Sequence, residues 1–271
     1  MLTLVPTPIG NIGDISLRAL EVLSEADVLL CEDTRVTKKL LHILKERYSF
    51  FLQKQNQEFI SIHSHNEQEF VEKTEPSFFE QNVVYVSDAG MAGVSDPGQI
   101  LVRYCIDNEI SYDILPGANA VLTAFVASGF VQTQMLFFGF LDHKGQSRTA
   151  GLQKALYSGY TTILYESPHR LEKLLKEIDK EDSTREIFLA KELTKKHQTF
   201  YHGTPKEVLK KLQNIKGEWV VVLKASTTAT NNSSITTKDI LDLDLPKKVQ
   251  AKLLSKITGE SVKEIYAKLM Q

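Results

Sequence analysis

The chain has 271 residues, of which 42% are hydrophobic and 24% are charged, a composition typical of a soluble globular protein with one large or two medium domains. No stretch approaches the ~20 apolar residues that a membrane helix needs, and the first ten residues, MLTLVPTPIG, lack the basic segment of a signal peptide. These features argue against a helical membrane protein and predict a cytoplasmic location.

Charge is distributed unevenly along the chain. Residues 1–130 carry 9 Lys and Arg against 18 Asp and Glu, whereas residues 131–271 carry 23 against 16. A polyanion would therefore be attracted to the second half. Because charge also drifts along chains that bind no polyanion, this asymmetry by itself does not identify a nucleic-acid-binding protein.

Strands and helices are predicted to alternate along the first half. Residues 83–86 form a continuous apolar run, which is typical of a strand in a parallel sheet covered on both faces. Ser16 precedes leucines at helical spacing and predicts a helix N-cap. The strands are predicted at 2–7, 28–31, 83–86 and 112–115, and the helices from 16 onward and at 34–47, 100–106 and 118–128.

The second half changes in style, because its predicted strands are rich in β-branched and aromatic residues. The fold class predicted for the whole is α/β, with an N-terminal domain at 1–130 and a second α/β domain at 131–225. The strands are predicted at 135–140, 161–166, 187–191 and 218–224, and the helices near 147–156, 170–178 and 205–212.

The C-terminal segment is predicted to form a separate small unit. Residues 226–237 read STTATNNSSITT, which is polar and predicts a linker. Residues 238–271 are predicted to be helical. Within them Gly259 separates two helices, and Ser261 with Glu264 has the spacing of a capping box. The pair resembles a helix-turn-helix, and its lysines are equally compatible with RNA contact and with a packing or dimerisation role.

Several common sites are absent from the sequence. It contains no G-x-x-x-x-G-K-[ST], G-x-G-x-x-G, H-E-x-x-H or C-x-x-C motif, which argues against a P-loop NTPase, a standard dinucleotide enzyme and a zinc hydrolase. Cys31 and Cys105 have no metal-binding spacing and are expected to be buried or free thiols. No metal site is predicted.

Three loops rich in Gly and Pro follow predicted strands, at 6–11, 88–98 and 115–117. In an open α/β sheet, ligands bind at the carboxyl ends of the strands, and Gly and Pro there allow close backbone approach and define loop shape. We therefore predict a small-molecule pocket built largely from main chain. These residues alone indicate a ligand-binding two-domain α/β protein and no more.

Polar clusters follow strands in the second half. Residues 165–170 read YESPHR and residues 191–197 read KELTKKH, and Lys and Arg of these clusters could bind phosphates. Gly203 and Thr204 precede a predicted helix, where an anion would be favoured.

Several of these segments together resemble a known family. They are VPTPIGNIGDISLRALEVLSEADVLLCEDTR, VSDAG with GVSDPG, YESPHR, AKELTKKH and KGE. Between residues 2 and 225 they resemble, in order, the ribosomal RNA small-subunit cytidine-2′-O-methyltransferases of the tetrapyrrole methylase superfamily. The resemblance implies a two-domain fold with S-adenosyl-L-methionine in the cleft between the domains, and a homodimer. It also implies methyl transfer to the ribose 2′-oxygen of a cytidine in 16S ribosomal RNA of the small subunit, with no need for a metal.

The resemblance also implies roles for individual residues. A ribose hydroxyl needs a base or a cationic neighbour to react, and Lys191 or Glu192 is the predicted group, with Asp33 as a further choice. Arg35 and Arg170 are predicted to face the RNA. The residues implied to contact the cofactor are Pro8, Asp88, Ala89, Gly90, Pro116, Gly117, Ala118, Tyr165, Glu166, Gly203 and Thr204.

This chain departs from the family pattern beside the expected cofactor. Met91 and Ala92 stand where the family has Thr-Pro, and Ala118 and Asn119 stand where it has Pro-Ser. These departures bear on cofactor affinity more than on the fold. Two other functions stay open at this point. One is methylation of a small tetrapyrrole, and the other is a non-catalytic RNA-binding role in ribosome assembly.

Overall fold

A computed structural model of the chain describes residues 1–51, 53–226 and 237–270. Its contacts divide the chain into two compact units, Met1–Ala225 and Ser226–Gln271. As described, the first unit contains two five-stranded sheets, one built from residues before position 130 and the other from residues after it. The domain boundary near residue 130 stays a prediction. Residues 227–236 of the predicted linker lie outside the described residues.

The first sheet is fully parallel, with strand order β3-β2-β4-β1-β5. The parallel sheet predicted from the buried apolar run at β4 is confirmed, and apolar cores cover both of its faces. β3 was not predicted, because its sequence EFIS is only partly buried and begins with a charge. The strands are β1 (Leu2–Leu4), β2 (Val28–Cys31), β3 (Glu58–Ser61), β4 (Val83–Val86) and β5 (Tyr112–Ile114).

Polar caps begin several helices around this sheet. The Ser16 side chain accepts a hydrogen bond from Ala19 N–H, which confirms the predicted N-cap. Asn119 caps the fifth helix in the same way, accepting from Leu122 N–H. None of the described helices is long and apolar enough to cross a membrane. The helices are α1 (Leu17–Glu25), α2 (Thr34–Arg47), α3 (Glu67–Lys73), α4 (Gln99–Asp107) and α5 (Ala120–Ala127).

The second sheet is mixed, with strand order β6-β7-β10-β8-β9. β6 and β7 pair in parallel, and the other neighbours are antiparallel. β9 was not predicted, because its residues TFYHG are largely exposed at the sheet edge. The elements are β6 (Met135–Phe140), α6 (Gly145–Leu156), β7 (Thr161–Glu166), α7 (Pro168–Glu181), β8 (Ile187–Lys191), β9 (Thr199–Gly203), α8 (Pro205–Lys211) and β10 (Trp219–Leu223).

The C-terminal unit contains α9 (Thr237–Leu241), α10 (Lys247–Thr258) and α11 (Val262–Leu269). Gly259 ends α10 with φ 76°, a left-handed conformation that favours glycine. The capping box predicted at the start of α11 is confirmed, since Ser261 and Glu264 each bond the other's backbone N–H. Its small core consists of Ile240, Ala251, Leu254 and Ile265.

The Tyr85 hydroxyl on β4 is fully buried and has no hydrogen-bond partner among the described residues. Burial of an unpaired hydroxyl costs free energy. We therefore expect Tyr85→Phe to raise the free energy of unfolding by about 1 kcal/mol in urea denaturation. Tyr104→Phe is the matched control, because the Tyr104 hydroxyl donates to Thr74 O at 2.6 Å. This control should lower stability by about 1 kcal/mol, and equal effects of the two variants would contradict the assignment.

Candidate functional site

The three Gly/Pro-rich loops meet at the carboxyl edge of the first sheet. Thr7 and Gly90 exchange backbone hydrogen bonds of 2.9 and 3.0 Å, which join the first two loops. Gly117 lies so close to Pro6 that a Cβ on it would be 2.5 Å from the Pro6 Cβ, which joins the first and third. Gly90 has φ +83° and lies beside Ile9 and Ala118. The sequence therefore folds these loops into one continuous wall.

The first loop also contacts the second sheet. Asn11 N–H donates to Thr194 Oγ1 at 3.0 Å. A Cβ on Gly10 would lie 2.7 Å from Thr194 Oγ1 and 2.8 Å from Leu193 O. The backbone at Gly10 is thus packed directly against the loop that follows β8. This contact places the carboxyl edge of the first sheet against the carboxyl end of β8 in the second sheet.

A cavity of about 420 Å³ lies between these two edges, within the size range of small-molecule sites. The first sheet contributes loop residues, and the second contributes strand ends and the segment that precedes β10. The lining residues are Ile9, Ala89, Gly90, Met91, Val94, Ser95, Asp96, Asn119, Ala120, Phe140, Tyr165, Glu166, Ser167, Pro168, Ala190, Leu193, Gly217, Glu218, Trp219 and Val220.

None of these lining residues is a Lys, Arg or His, and the titratable groups among them are three carboxyls and one phenol. The carboxyls belong to Asp96, Glu166 and Glu218. The described residues contain no group of three or more His, Cys, Asp and Glu side chains placed to bind a metal ion. The cavity is therefore electrostatically suited to a cation or a neutral group rather than to an anion.

Glu166 is buried at the end of β7 and is paired with two arginines. Its carboxylate lies 2.7 Å from Arg170 Nη2 and 3.4 Å from Arg148 Nη2, and it accepts Ser167 N–H at 2.8 Å. Arg148 is 2% exposed and also pairs with Glu177 at 2.8 Å. These ion pairs and the Ser167 hydrogen bond orient the cavity-lining segment 166–168. They leave the Glu166 carboxylate paired with two guanidinium groups.

Asp96, like Glu218, is a lining carboxylate that the site prediction from the sequence did not include. It lies in the GVSDPG segment, whose match to the family was its available signal. Burial, together with the nearby carboxylates of Glu32 and Asp88, raises the pKa of Asp96 to about 6. Among the described residues its carboxylate has no hydrogen-bond donor and no cationic partner.

Aromatic rings form the opposite wall. The Tyr165 ring packs 5.1 Å from Phe137 and 5.5 Å from Phe140, measured between centroids. Burial raises the pKa of Tyr165 to about 12, and the charges of Asp96 and Glu218 act in the same direction. Tyr165 is therefore a neutral phenol near pH 7.

The predicted catalytic residues Lys191 and Glu192 do not line the cavity. Lys191 Nζ donates to Asn214 O at 2.7 Å and lies 5.5 Å from the Trp219 ring centroid. Glu192 Oε1 accepts Glu218 N–H at 2.8 Å and pairs with Lys195 at 3.0 Å. Burial would raise the pKa of Glu192, but these two partners outweigh burial and lower it. Both side chains therefore hold in place the segment that precedes β10, beside the cavity.

Asp33, the third predicted catalytic residue, is the N-cap of α2. Its carboxylate accepts Arg35 N–H at 2.8 Å and forms a bidentate ion pair with the Arg35 guanidinium, with a shortest distance of 2.6 Å. The hydrogen bonds from Arg35 lower the pKa of Asp33 to about 2. Asp33 N–H donates to Asp88 at 3.0 Å, so the pair lies beside the second loop and outside the cavity lining.

Four of the residues implied to contact a cofactor, Ala89, Gly90, Tyr165 and Glu166, line the cavity. Pro8, Asp88 and Ala118 each immediately precede a lining residue, and Pro116 and Gly117 lie three and two residues before the lining residue Asn119. Gly203 and Thr204 are not brought to the cavity, because β9 runs antiparallel to β8. In this register Thr199 pairs with Lys191 near the cavity, whereas Gly203 pairs with Ile187 at the other end of β8.

The two predicted RNA-facing arginines differ in their surroundings. The Arg35 side chain is 90% exposed at the start of α2, where it can reach a large partner. Arg170 is mostly buried, and its guanidinium pairs with Glu166 and donates to Leu141 O at 3.2 Å. At the departures from the family pattern, Met91 lines the cavity, whereas Ala92 is buried in the core of the first sheet.

Residues 1–209 match the family model described as tetrapyrrole (corrin/porphyrin) methylases, and the chain belongs to that family. It is 45% identical to the ribosomal RNA small subunit methyltransferase I of Campylobacter fetus subsp. fetus, over 100% of both chains. It is 44% identical to the protein of the same name from Helicobacter pylori strain J99, over 98% of this chain and 96% of that one.

A solved structure shares the fold at low identity. The uroporphyrin-III C-methyltransferase of Thermus thermophilus, complexed with S-adenyl homocysteine, superimposes with a TM-score of 0.52 and 13% identity, over 82% of this chain and 96% of that one. The predictions of family, of fold class and of an enzyme of the methyltransferase class are confirmed.

Proposed function

We propose that this chain transfers the methyl group of S-adenosyl-L-methionine to small-subunit ribosomal RNA. The observation that carries the proposal is the 45% identity, over the whole of both chains, to a relative named for that activity. We propose further that the acceptor is the ribose 2′-oxygen of a cytidine in 16S ribosomal RNA, on the strength of the segments that resemble the cytidine-2′-O-methyltransferases. Such a substrate would place the reaction in the cytoplasm.

The cavity residues fit the proposed methyl donor. When bound, S-adenosylmethionine supplies a methyl group activated by a positively charged sulfonium. The lining lacks Lys, Arg and His and includes carboxylates, so it does not repel that charge. Backbone at Ala89 and Gly90 would hold the donor from one side, and the apolar faces of Met91, Leu193 and Trp219 would enclose it. The contacts of Pro8, Asp88, Pro116, Gly117, Ala118, Gly203 and Thr204 stay predictions.

The chain's part in the reaction is to orient, to exclude water and to accept a proton. Apolar lining side chains displace water from the reacting groups, which strengthens every electrostatic interaction inside. Holding the two reactants in line can supply ~7 kcal/mol or more of the barrier reduction. The Glu166 network, which fixes segment 166–168, supplies the rigidity that such alignment requires.

RNA is proposed to approach across the exposed basic groups near the cavity. Arg35 is free to contact phosphates with the outward part of its guanidinium while it stays paired with Asp33. Lys38 and Lys39, one turn further along α2, are also exposed. Arg170 is proposed to act instead as the ion-pair partner of Glu166. The lysines of the C-terminal unit are proposed to add phosphate contacts.

A second copy of the chain is the proposed partner of α5. This helix buries Val121 and Ala124 on one side, whereas Leu122 and Val126 are 50% and 77% exposed on the other. Exposed apolar patches of this kind are typical of interfaces, and the family resemblance implies a homodimer. The dimer would cover the exposed face of α5.

We expect Val126→Glu to weaken the dimer by about 30-fold in dissociation constant, the size of an interface hot spot, because a buried unpaired carboxylate would replace an apolar contact. Light scattering coupled to size exclusion over a concentration series measures this. The matched control is Val36→Glu, at an exposed position of α2. It should leave the molecular mass measured by light scattering unchanged. A monomeric wild type at all concentrations would contradict the proposed dimer.

The test of the proposed function is methyl transfer from labelled S-adenosylmethionine to small ribosomal subunits from a strain lacking the protein, followed by mapping of the modified nucleotide. Large subunits serve as the control acceptor. Label on one cytidine 2′-oxygen would support donor, acceptor and reaction together. Donor binding without RNA label, but with transfer to a tetrapyrrole, would favour the small-molecule alternative. Absence of donor binding would favour the non-catalytic alternative.

A further inference from the structure

The segment between residues 194 and 217 is strongly basic. It contains six lysines and two histidines against a single acidic residue, Glu207. The Glu207 carboxylate is already used inside the chain, because it accepts Thr204 N–H at 2.8 Å in the capping box that begins α8. The segment therefore presents positive charge to its surroundings, and a surface of this kind attracts a polyanion.

The lysines of this segment are largely free of carboxylate partners. Some lysines elsewhere on the surface form ion pairs, as Lys73 does with Glu69. Lys196, Lys206 and Lys216, in contrast, are exposed and form no ion pair within the described part of the chain. A lysine without a carboxylate partner can bind a phosphate without first breaking an ion pair.

β9 forms an exposed edge of the second sheet, because among the described strands it pairs with β8 alone. Its first residue, Thr199, pairs with Lys191 near the cavity, so the turn that leads into β9 lies at the cavity rim. Lys195 of this turn is 3.0 Å from the carboxylate of Glu218, which lines the cavity. Lys196 follows it with an exposed side chain. The basic surface therefore begins at the rim of the cavity.

Two aromatic side chains of β9 lie on one face of this edge. Phe200 and His202 are two residues apart in the strand, so their side chains point to the same side. Their ring centroids lie 5.3 and 4.6 Å from that of Phe188, and Phe200 is nevertheless 42% exposed. Unpaired bases stack on exposed aromatic rings in basic surfaces, and such stacking tolerates any base.

A lysine of α8 reaches the same edge from the other face of the sheet. Lys211 Nζ donates to His202 O at 3.0 Å, which places its charge on the β9 backbone. α8 lies on the face opposite to Phe200, because Tyr201 packs in the core to which Val208 of α8 belongs. An RNA strand along β9 would therefore have lysine beside its phosphates and an aromatic ring beside its bases.

We propose that this edge binds a single-stranded segment of the substrate RNA, next to the nucleotide that enters the cavity. The lysines bind phosphates, and Phe200 stacks on an unpaired base. The inference rests on the proposed function, which makes RNA the substrate, and it adds a surface on the second sheet to the basic groups of α2. The surface is named the β9 strip and consists of Lys196, His197, Phe200, His202, Lys206 and Lys211.

The first test measures single-turnover methylation of small subunits, from a strain lacking the protein, against enzyme and salt concentration. Lys196→Glu combined with Lys211→Glu should raise the half-saturating enzyme concentration by at least about tenfold. It should also make the salt dependence shallower, by about 0.7 in the log–log slope for each lost phosphate contact. Affinity for S-adenosylhomocysteine, measured by calorimetry, should be unchanged. The matched control is Lys73→Glu combined with Lys176→Glu, the same charge change at exposed positions of α3 and α7.

The second test addresses the stacking contact. Phe200→Ser should raise the half-saturating enzyme concentration by at least about fivefold, the loss of one base stack. Phe200→Tyr should behave like wild type because it keeps an aromatic ring. The salt dependence should not change in either variant, because no phosphate contact is lost. Thermal melts confirm that each variant is folded, and light scattering measures its molecular mass.

The outcomes separate this inference from the proposed function. A wild type that methylates small subunits, with strip variants that match it or match the Lys73 and Lys176 control, would overturn the inference alone. A change in molecular mass on Phe200→Ser would also overturn it, because a second copy of the chain would then cover the strip. A wild type that binds the donor but labels no small-subunit RNA would overturn the proposed function and this inference with it.

Discussion

Replacing Arg148 with Met should lower the free energy of unfolding by about 3 kcal/mol, the cost of breaking a buried ion pair by removing one partner. Arg148 is 2% exposed and pairs with Glu166 and Glu177, and it also donates to Asp142 O at 3.1 Å. Methionine fills similar space but leaves Glu166 with Arg170 as its remaining cation. The melting temperature should fall by about 6–12 °C.

The matched control is Arg103→Met, which removes an exposed ion pair with Asp107 on α4. Exposed pairs contribute ~0–1 kcal/mol, so this variant should unfold close to wild type. Urea denaturation and calorimetry measure both variants. Because the network orients segment 166–168 at the cavity, Arg148→Met should also weaken donor binding. A loss of stability below about 1 kcal/mol would mean that water solvates the network in solution and that it does not brace the cavity.

Gly10→Ala should separate the loops that bring the two sheets together, with a loss of donor affinity of at least about tenfold and of stability of about 1–3 kcal/mol. A Cβ there would lie 2.7 Å from Thr194 Oγ1 and 2.8 Å from Leu193 O. Leu193 O is backbone and cannot swing aside, so the first loop or the loop after β8 must move. The Asn11 to Thr194 hydrogen bond of 3.0 Å would be lost with that movement.

Gly13→Ala is the control for this substitution. It makes the same chemical change three residues away, where the nearest atom to a new Cβ is 3.3 Å distant and belongs to the Asn11 side chain. Calorimetric titration with S-adenosylhomocysteine and thermal melts report affinity and stability. Equal behaviour of the two variants would show that the contact between the sheets is not tight in solution.

The features that follow from short-range chemistry were predictable from the sequence. The β4 run of four apolar residues predicts a strand covered on both faces, because each side chain must leave water. Ser16, and Ser261 with Glu264, predict helix starts because their side chains satisfy backbone N–H groups within one turn. The three loops were predicted to meet because parallel strands place their carboxyl ends at one edge.

The roles of individual polar groups were not predictable in the same way. Lys191 and Glu192 follow a strand, as site residues do, but their partners come from distant segments at Asn214 and Glu218. Gly203 and Thr204 begin a helix, which suits an anion, but the antiparallel register of β8 and β9 puts them at the far end from the cavity. Asp96 gains its position from Glu67, about thirty residues earlier in the chain.

The sequence by itself determined the family, the α/β class, the main strands and helices and the loops that build the cavity, because each depends on local hydrophobic spacing, on capping or on contiguous family segments. The tertiary structure decided which charges are neutralised by partners and which carboxylate faces the cavity unpaired. That choice depends on strand register and on contacts between segments far apart in the chain, which no local pattern encodes.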